Sequence, residues 1–223
     1  MAKTTVFGGW AVPPEILTNV FWGGADYIDI NRMMPMLFDS SRRLRDDWVD
    51  VVISECRLAS GNVSEVIGGW STGAICAYAA ALAYPPQKLI LLSATPCFCR
   101  KSDFRFGTRP AALNQMIGAL EQDKETVLQS FYDWSGLDYD PQKIHGYTVD
   151  ELLCGLEFLK QVDLRPLTPT AVKPIFLHGT DDRVIPIAAS KYFSDATGGE
   201  HIEIAGGHSF FMDQRMPPEE EEF

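Results

Sequence analysis

Long apolar runs are missing from this chain of 223 residues. No stretch approaches the roughly 18 consecutive apolar residues that cross a bilayer, so the sequence offers no candidate membrane span. The N-terminal residues reach the pair Gly8-Gly9 before an apolar stretch typical of a signal peptide has developed, which argues against secretion. We therefore expect a cytoplasmic protein.

Positive charge is also scarce. The chain has 19 Lys and Arg against 30 Asp and Glu, a formal net charge of −11. This excess opposes phosphate backbones and anionic lipid surfaces. We therefore expect neither a nucleic-acid partner nor a membrane partner. Part of the charge lies in the run Glu219 to Glu222, which we interpret as a solvated end.

Cysteines are few, and their spacing does not suggest ligation. They form an odd set, and none pairs with another at the C-x-x-C spacing of many metal sites. We expect free thiols and no metal site. The five residues are Cys56, Cys76, Cys97, Cys99 and Cys154.

The remaining composition is that of an ordinary globular protein, with 46% apolar and 22% charged residues. Short apolar runs alternate with helical patterns, which predicts an α/β fold with a mostly parallel central sheet flanked by helices. We expect a monomer. The predicted strands are 4–7, 25–30, 64–70, 88–93, 174–178 and 201–204, and the predicted helices are 40–56, 72–83 and 187–196.

The pattern changes in residues 97–170, which we call the insertion. It has two helical patterns, 110–134 and 148–162, around a turn-rich segment, and no convincing strand. The sequence therefore predicts an α/β core of residues 1–96 and 171–223. The insertion is predicted to form a helical cap, or lid, over one end of the sheet.

A short motif stands at a predicted strand-to-helix boundary. Residues 69–73 read Gly-Trp-Ser-Thr-Gly and match G-x-S-x-G in the context that this motif requires. There the backbone lifts the serine hydroxyl out of the strand end, and glycines avoid a clash on either side. The alternative is a chance match in an ordinary turn. We take Ser71 as the candidate nucleophile.

A serine hydroxyl needs a base to take its proton, and the chain has four histidines. His208 follows the last predicted strand in a loop of small residues, which lets an imidazole reach over the sheet edge. His178 lies near a strand end, where packing or hydrogen bonding is the simpler role. His145 belongs to the insertion, and His201 has no assigned role. We select His208.

The base in turn needs a carboxylate to orient it. Asp181 and Asp182 both follow a predicted strand, and because neighbouring side chains of an extended segment diverge, only one can face the histidine. The register D-x-x-[VI]-P selects Asp182, which leaves Asp181 as a turn or solvated residue. The order Ser, Asp, His is that of the α/β-hydrolase fold. We therefore predict a catalytic triad of Ser71, Asp182 and His208.

An acyl-transfer site also needs donors for the oxyanion of its tetrahedral intermediate. One candidate is the N–H of Thr72, at the start of the helix after Ser71. The second is the N–H of Trp10, because Gly8-Gly9 permits close backbone approach to a ligand. The alternative for the glycine pair is a flexible turn. The chemistry of such a site requires no cofactor.

These residues lie in a chain that resembles the biotin-pathway pimeloyl-(acyl-carrier protein) methyl ester esterases of the α/β-hydrolase superfamily. Many unrelated hydrolases share the triad, whereas the segments that begin and end the insertion are more discriminating. The similarity rests on Gly9-Trp10, Gly69-Trp70-Ser71, Ser93-Ala94-Thr95-Pro96-Cys97-Phe98, the run from Gly155 to Arg165, and the segments around Asp182 and His208.

The resemblance implies hydrolysis of the methyl ester on a pimeloyl chain carried by acyl-carrier protein. It also implies that Trp10, Trp70 and Phe131 line the acyl channel; core packing is the alternative for Phe131. This chain departs from the family in having Gly8 where a histidine usually precedes the Gly-Trp pair.

The charge of the insertion bears on a carrier partner. Relatives that dock the acidic carrier do so through basic residues of the cap, but here the insertion has eight Lys and Arg against eleven Asp and Glu. Its entrance does hold a basic cluster that is either a small docking patch or a solvated face: Arg100, Lys101, Arg105 and Arg109.

Two rival functions remain. The same machinery could hydrolyse short acyl esters or lactones without a carrier protein. Alternatively, the chain could be a catalytically silent receptor or scaffold, which an intact triad does not exclude. Turnover of a carrier-bound ester distinguishes the carrier-dependent esterase from the first rival. Reaction of Ser71 with a fluorophosphonate probe distinguishes an active esterase from the second.

Overall fold

The computed structural model describes residues 3–21, 24–61, 64–141, 146–167 and 171–212. Its strands are β1 (Thr4–Phe7), β2 (Asp26–Ile28), β3 (Val66–Trp70), β4 (Lys88–Leu92), β5 (Ile175–Gly179) and β6 (Glu200–Ile204). They form one sheet in the order β2-β1-β3-β4-β5-β6, and each neighbouring pair is parallel. The prediction of an α/β fold with a parallel central sheet is confirmed.

Helices connect these strands. The α-helices of the described residues are α1 (Ile30–Met33), α2 (Trp48–Ser60), α3 (Thr72–Ala83), α4 (Pro110–Gln122), α5 (Lys124–Ser135), α6 (Val149–Gln161) and α7 (Ile187–Thr197). Short 3-10 helices cover Pro14–Asn19, Met34–Leu37 and Phe210–Met212. None of the described helices combines the length and apolar character needed to span a bilayer.

The helix predicted over 40–56 is wrong at its start, because α2 begins only at Trp48. The preceding residues form a turn around Asp39, whose carboxylate accepts the backbone N–H groups of Ser41 and Arg43 at 2.8 and 3.1 Å. Such side-chain hydrogen bonds offer the backbone an alternative to a helix. Arg42 accordingly has a left-handed φ of 55°.

The single helical pattern predicted over 110–134 is two helices. Asp123 has φ −148° and ends α4, and its carboxylate then accepts the N–H of Thr126 at 3.1 Å and caps α5. Together with α6, these helices occupy the connection between β4 and β5. Among the described residues of that connection, only isolated β-bridges are present, at Cys99–Thr108 and Lys101–Phe104.

Helix α3 is central to the core. Its residues from Thr72 to Ala81 are all buried, and its alanines let it lie close to both the sheet and α2. On its other side Tyr78 contacts Phe193 of α7, with ring centroids 4.8 Å apart. The turn at Ser71 is therefore attached to a helix that is packed on both sides.

Candidate active site

The turn between β3 and α3 has a strained backbone. Ser71 has φ 57° and ψ −120°, a left-handed conformation that residues with side chains rarely adopt. A β-carbon on Gly69 would collide with the carbonyl group of Gly73, and one on Gly73 would collide with the carbonyl oxygens of Phe7 and Gly8. Glycine at both positions therefore lets α3 begin directly against the end of β1.

Three side chains from three loops form one hydrogen-bonded row. His208 Nε2 lies 2.9 Å from Ser71 Oγ, and His208 Nδ1 lies 2.8 Å from Asp182 Oδ2. The loops follow β3, β5 and β6, whose carboxyl ends share one edge of the parallel sheet. The imidazole and the carboxylate are fully buried, and Ser71 is 6% exposed. In this geometry His208 can take the hydroxyl proton.

Asp182 is the carboxylate that faces the imidazole. Its Oδ1 accepts the backbone N–H groups of Val184 and Ile185, both at 2.8 Å. Burial would raise the pKa of this carboxyl, but the charge of His208 and hydrogen bonds from His178 and His208 outweigh burial and hold the pKa well below its usual range. Asp182 is therefore ionised at neutral pH.

Two of the other candidates lie elsewhere. Asp181 is exposed and accepts the hydroxyl of Thr180 at 3.0 Å, as expected of a turn residue. His201 lies on β6, and its Nε2 has no hydrogen-bond partner among the described residues. His145 and the acidic run Glu219 to Glu222 fall outside the described residues.

The loop that carries His208 is anchored through its own carbonyl group. The His208 carbonyl oxygen accepts Trp70 Nε1–H and the Ser93 hydroxyl, each at 3.0 Å. The next hydroxyl, Ser209 Oγ, donates to Ser135 O at the end of α5, 2.6 Å away. The His208 loop is thus held by contacts to the core and to the insertion.

Trp70 occupies a different place from the one expected. It is fully buried, packs against the His208 ring at 5.1 Å and against Phe211 at 5.4 Å between ring centroids, and does not line the cavity above Ser71. The expectation that Trp70 lines an acyl channel does not match this placement. In the structure it supports the ring and the carbonyl group of His208.

A buried asparagine fixes the loop after β1. Asn31 Oδ1 accepts the N–H of Ala11 at 2.7 Å, and Asn31 Nδ2 donates to the Gly9 carbonyl at 3.2 Å. Ala11 has φ 57°. In the described part of the chain, no acceptor is recorded for the N–H of Trp10 or of Thr72. Both groups are thus available to an oxyanion. Sequence reasoning missed Asn31, because no motif marks a single buried polar residue.

A cavity of about 420 Å³ opens above Ser71, with mainly apolar side chains around it. Trp10 and Phe131 both line it and meet edge to face with centroids 4.9 Å apart. The lining residues that the sequence analysis missed include Trp134 and Arg183, whose guanidinium lies 5.0 Å over the Trp134 ring. The cavity suits an apolar chain whose reacting end reaches the serine.

The basic residues at the entrance of the insertion fall into two groups. Lys101 forms an ion pair with Asp163 at 2.9 Å. Arg100, Arg105 and Arg109 are exposed, and none has an ion pair with another described residue. Three of the four predicted docking residues are therefore accessible.

Sequence comparison finds relatives across most of the chain. A family model described as the alpha/beta hydrolase family matches residues 22–220. A pimeloyl-[acyl-carrier protein] methyl ester esterase of Stenotrophomonas maltophilia is 31% identical over 171 residues, 70% of this chain and 66% of the relative. One of Xylella fastidiosa is 28% identical over 165 residues, 65% of this chain and 64% of the relative. The chain thus spans slightly less than two-thirds of the length of these curated relatives.

Solved structures share the fold. An esterase from Exiguobacterium antarcticum superposes with a TM-score of 0.76 at 18% identity, covering 96% of this chain and 89% of that one. BioG from Haemophilus influenzae gives a TM-score of 0.58 at 18% identity, covering 94% and 90%. The likeness extends over nearly the whole of this chain.

Proposed function

The chain belongs to the alpha/beta hydrolase family, and we propose that it is a serine carboxylesterase that hydrolyses the methyl ester of a pimeloyl chain on acyl-carrier protein. One observation carries this proposal: the buried row Asp182–His208–Ser71, with 2.8 and 2.9 Å contacts, ends at an apolar cavity. The names of the two relatives described above support the substrate.

In the acylation half of the proposed reaction, His208 Nε2 takes the proton of Ser71 as its Oγ attacks the ester carbonyl. The N–H groups of Trp10 and Thr72 donate to the oxyanion of the tetrahedral intermediate. As the intermediate collapses, His208 returns the proton to the departing methoxide, and methanol leaves. Asp182 stabilises the imidazolium that exists between these two proton transfers.

In the second half, water replaces methanol. His208 removes a proton from the water as its oxygen attacks the acyl-enzyme, and the same two N–H groups bind the new oxyanion. His208 then donates this proton to Ser71 Oγ as the bond between Oγ and the acyl carbon breaks. The serine is regenerated, and the product is a free carboxylic acid. Every proton moves between side chains of this chain, substrate and water.

We propose that residues 97–170 act as a cap on an α/β core of residues 1–96 and 171–223. The insertion supplies Phe131 and other apolar groups of the cavity wall, while the core supplies Trp10. An acyl chain would lie between the two. Trp10 and Phe131 are the proposed substrate contacts.

For a carrier protein, the candidate docking surface is the exposed set Arg100, Arg105 and Arg109. Cationic residues of this kind attract an acidic partner and speed encounter. Lys101 contributes less, since Asp163 neutralises it.

The nucleophile is tested by comparing the wild type with Ser71→Ala on short p-nitrophenyl esters. We expect a fall in kcat of about 10⁴-fold or more. Ser190→Ala removes a buried hydroxyl on α7 and serves as the control that keeps its activity. Equal rates for wild type and Ser71→Ala would remove Ser71 as nucleophile.

The second candidate is an esterase of short acyl esters that uses no carrier. The excess of acidic residues in the insertion and the pairing of Lys101 favour it. We expect the double variant Arg105→Glu/Arg109→Glu to lower kcat/KM for a pimeloyl-carrier methyl ester at least about tenfold while p-nitrophenyl ester hydrolysis stays unchanged. Arg43→Glu, at an exposed position outside the insertion, is the control. No turnover of the carrier substrate by the wild type favours the second candidate.

A further inference from the structure

A second histidine lies behind the triad acid and has no part in the proposed mechanism. His178, on β5, is fully buried, and its Nε2 lies 2.9 Å from the carbonyl oxygen of Ile185 and 3.2 Å from Asp182 Oδ2. Asp182 Oδ2 is the same oxygen that faces His208 Nδ1 at 2.8 Å. Two imidazoles therefore share one carboxylate oxygen.

The neighbours fix the proton on His178. A backbone carbonyl oxygen only accepts, so Nε2 must carry a hydrogen, which points toward both Ile185 O and Asp182 Oδ2. His178 Nδ1 is buried and has no partner among the described residues. A buried unpaired acceptor is less costly than a buried unpaired cationic donor, so the neutral Nε2–H tautomer fits the site.

Asp182 consequently receives four N–H groups: two from the backbone of Val184 and Ile185, and one from each imidazole. Four donors saturate the lone pairs of a carboxylate. Each added donor withdraws charge from the oxygens and leaves less for the bond to His208.

We propose that His178 is a positioning residue that orients Asp182 and limits how strongly this carboxylate holds a proton on His208. The inference rests on the proposed function in taking His208 as the base. A base that releases its proton readily stays active to lower pH, so His178 would extend the active range toward acid.

Other titratable groups around His178 lie on β6 and α7. The His201 ring stacks on it at 6.3 Å between centroids. Glu203 follows on the same strand, and Lys191 of α7 forms an ion pair with it. Burial lowers the pKa of His201.

The test follows kcat/KM for a p-nitrophenyl ester against pH in the wild type and in His178→Leu, which removes the donor and keeps apolar bulk. Without its fourth donor the Asp182 carboxylate holds the His208 proton more tightly. The midpoint of the acidic limb is therefore expected to move about half a pH unit higher. His178→Gln places an amide N–H near the position of Nε2 and is expected to restore the wild-type midpoint.

A purely structural role would lower stability or kcat without moving the midpoint. Ser190→Ala is the control for a buried polar deletion, and its midpoint should not move. If His178→Leu does not fold, His178→Asn takes its place as the donor-free variant, because its shorter amide does not reach Asp182. It is then compared with His178→Gln. An unmoved midpoint in the donor-free variant, or the same shift in His178→Gln, overturns the proposal.

The same variants can be read without turnover. NMR of 13C-labelled histidine follows the titration of the His208 ring directly, and the shift between His178→Leu and wild type is expected to match the kinetic one. An inactive wild type would end the proposed function, yet the NMR titration would still decide the role of His178. Equal His208 titration in all variants would overturn that role.

Discussion

The loops at the carboxyl edge of the sheet and the insertion above them rely on different kinds of contact. At the edge, polar groups meet at fixed angles and short distances: His208 reaches Ser71 and Asp182 at 2.9 and 2.8 Å, and Asn31 holds the loop of Trp10. The wall from the insertion is made mainly of apolar side chains such as Phe131, which touch their neighbours through shape alone.

The two kinds of contact respond differently to substitution. A hydrogen bond fails when one atom is replaced, because geometry and charge are lost together. An apolar contact loses only part of its energy when a side chain shrinks, since neighbours relax into the space. We therefore expect substitutions at the sheet edge to change kcat and substitutions in the cavity wall to change substrate binding.

The largest effect should follow Asp182→Asn. The amide is almost the same size but cannot hold His208 in the required tautomer, and kcat is expected to fall about 10⁴-fold. Steady-state kinetics on a p-nitrophenyl ester measures it. Asp181→Asn alters the exposed neighbour and should leave kcat unchanged; equal losses in both variants would contradict the assignment.

Asn31→Ala should have the next largest effect. It removes the contacts to Ala11 N–H and Gly9 O, so the Trp10 N–H is no longer held toward the oxyanion. Losing one such donor outright lowers kcat about 10²–10³-fold, and loosening it should lower kcat about tenfold to a hundredfold with KM little changed. Asn114→Ala, exposed on α4, is the control. A change confined to KM would argue against an oxyanion role for this loop.

Phe131→Ala tests the wall. We expect KM for a medium-chain ester to rise about three- to tenfold while kcat holds, because the lost contacts are the same in the ground and transition states. The comparison uses esters of two chain lengths, with the shorter one less affected. Phe106→Ala, an aromatic outside the cavity wall, should change neither. A large fall in kcat for Phe131→Ala would break the distinction between edge and wall.

The smallest effect concerns stability at the base of the insertion. Burial raises the pKa of Asp163, but hydrogen bonds from Arg165 and Lys101 outweigh it and lower the pKa to about 2. A carboxyl group whose pKa is lower in the folded state than in the unfolded chain stabilises the fold at pH values above its unfolded pKa. This contribution is lost as pH falls from about 4 to about 2. Asp163→Asn should therefore lower the free energy of unfolding at pH 6 and reduce its fall between pH 4 and pH 2.

Denaturant titrations at these pH values measure that difference. Asp133→Asn, which alters an exposed carboxylate of α5, should reproduce the wild-type pH dependence. A variant at 163 whose unfolding free energy falls as steeply as that of the wild type would show that the ion pairs do not stabilise the fold.

Much of the edge could be predicted from sequence because its chemistry demands particular residues at particular spacings. The glycines around Ser71 predict the turn. Asp182 and His208 each follow a predicted strand, in the order that the fold requires. Asn31 could not be found this way, since its role depends on a contact with Gly9 and Ala11, 20 to 22 positions away. Trp70 was misplaced because adjacency to Ser71 in sequence does not tell which side of β3 its ring takes.

The fold shows the same division. The strands could be predicted because apolar runs covered on both faces are visible in the sequence. The helix limits at Trp48 and Asp123 were missed because the carboxylates of Asp39 and Asp123 stabilise turns in those regions. Hydrophobic periodicity does not register such hydrogen bonds.

Trp10 joins the two regions. Its indole N–H donates to the Leu152 carbonyl of α6 at 2.9 Å, its ring meets Phe131, and its own backbone N–H has no acceptor among the described residues. A helix shift large enough to admit a bulky guest must either break that indole bond or drag the residue along with it. If Trp10 serves the proposed function, entry of a guest and the placement of its backbone N–H are thus mechanically linked through one side chain.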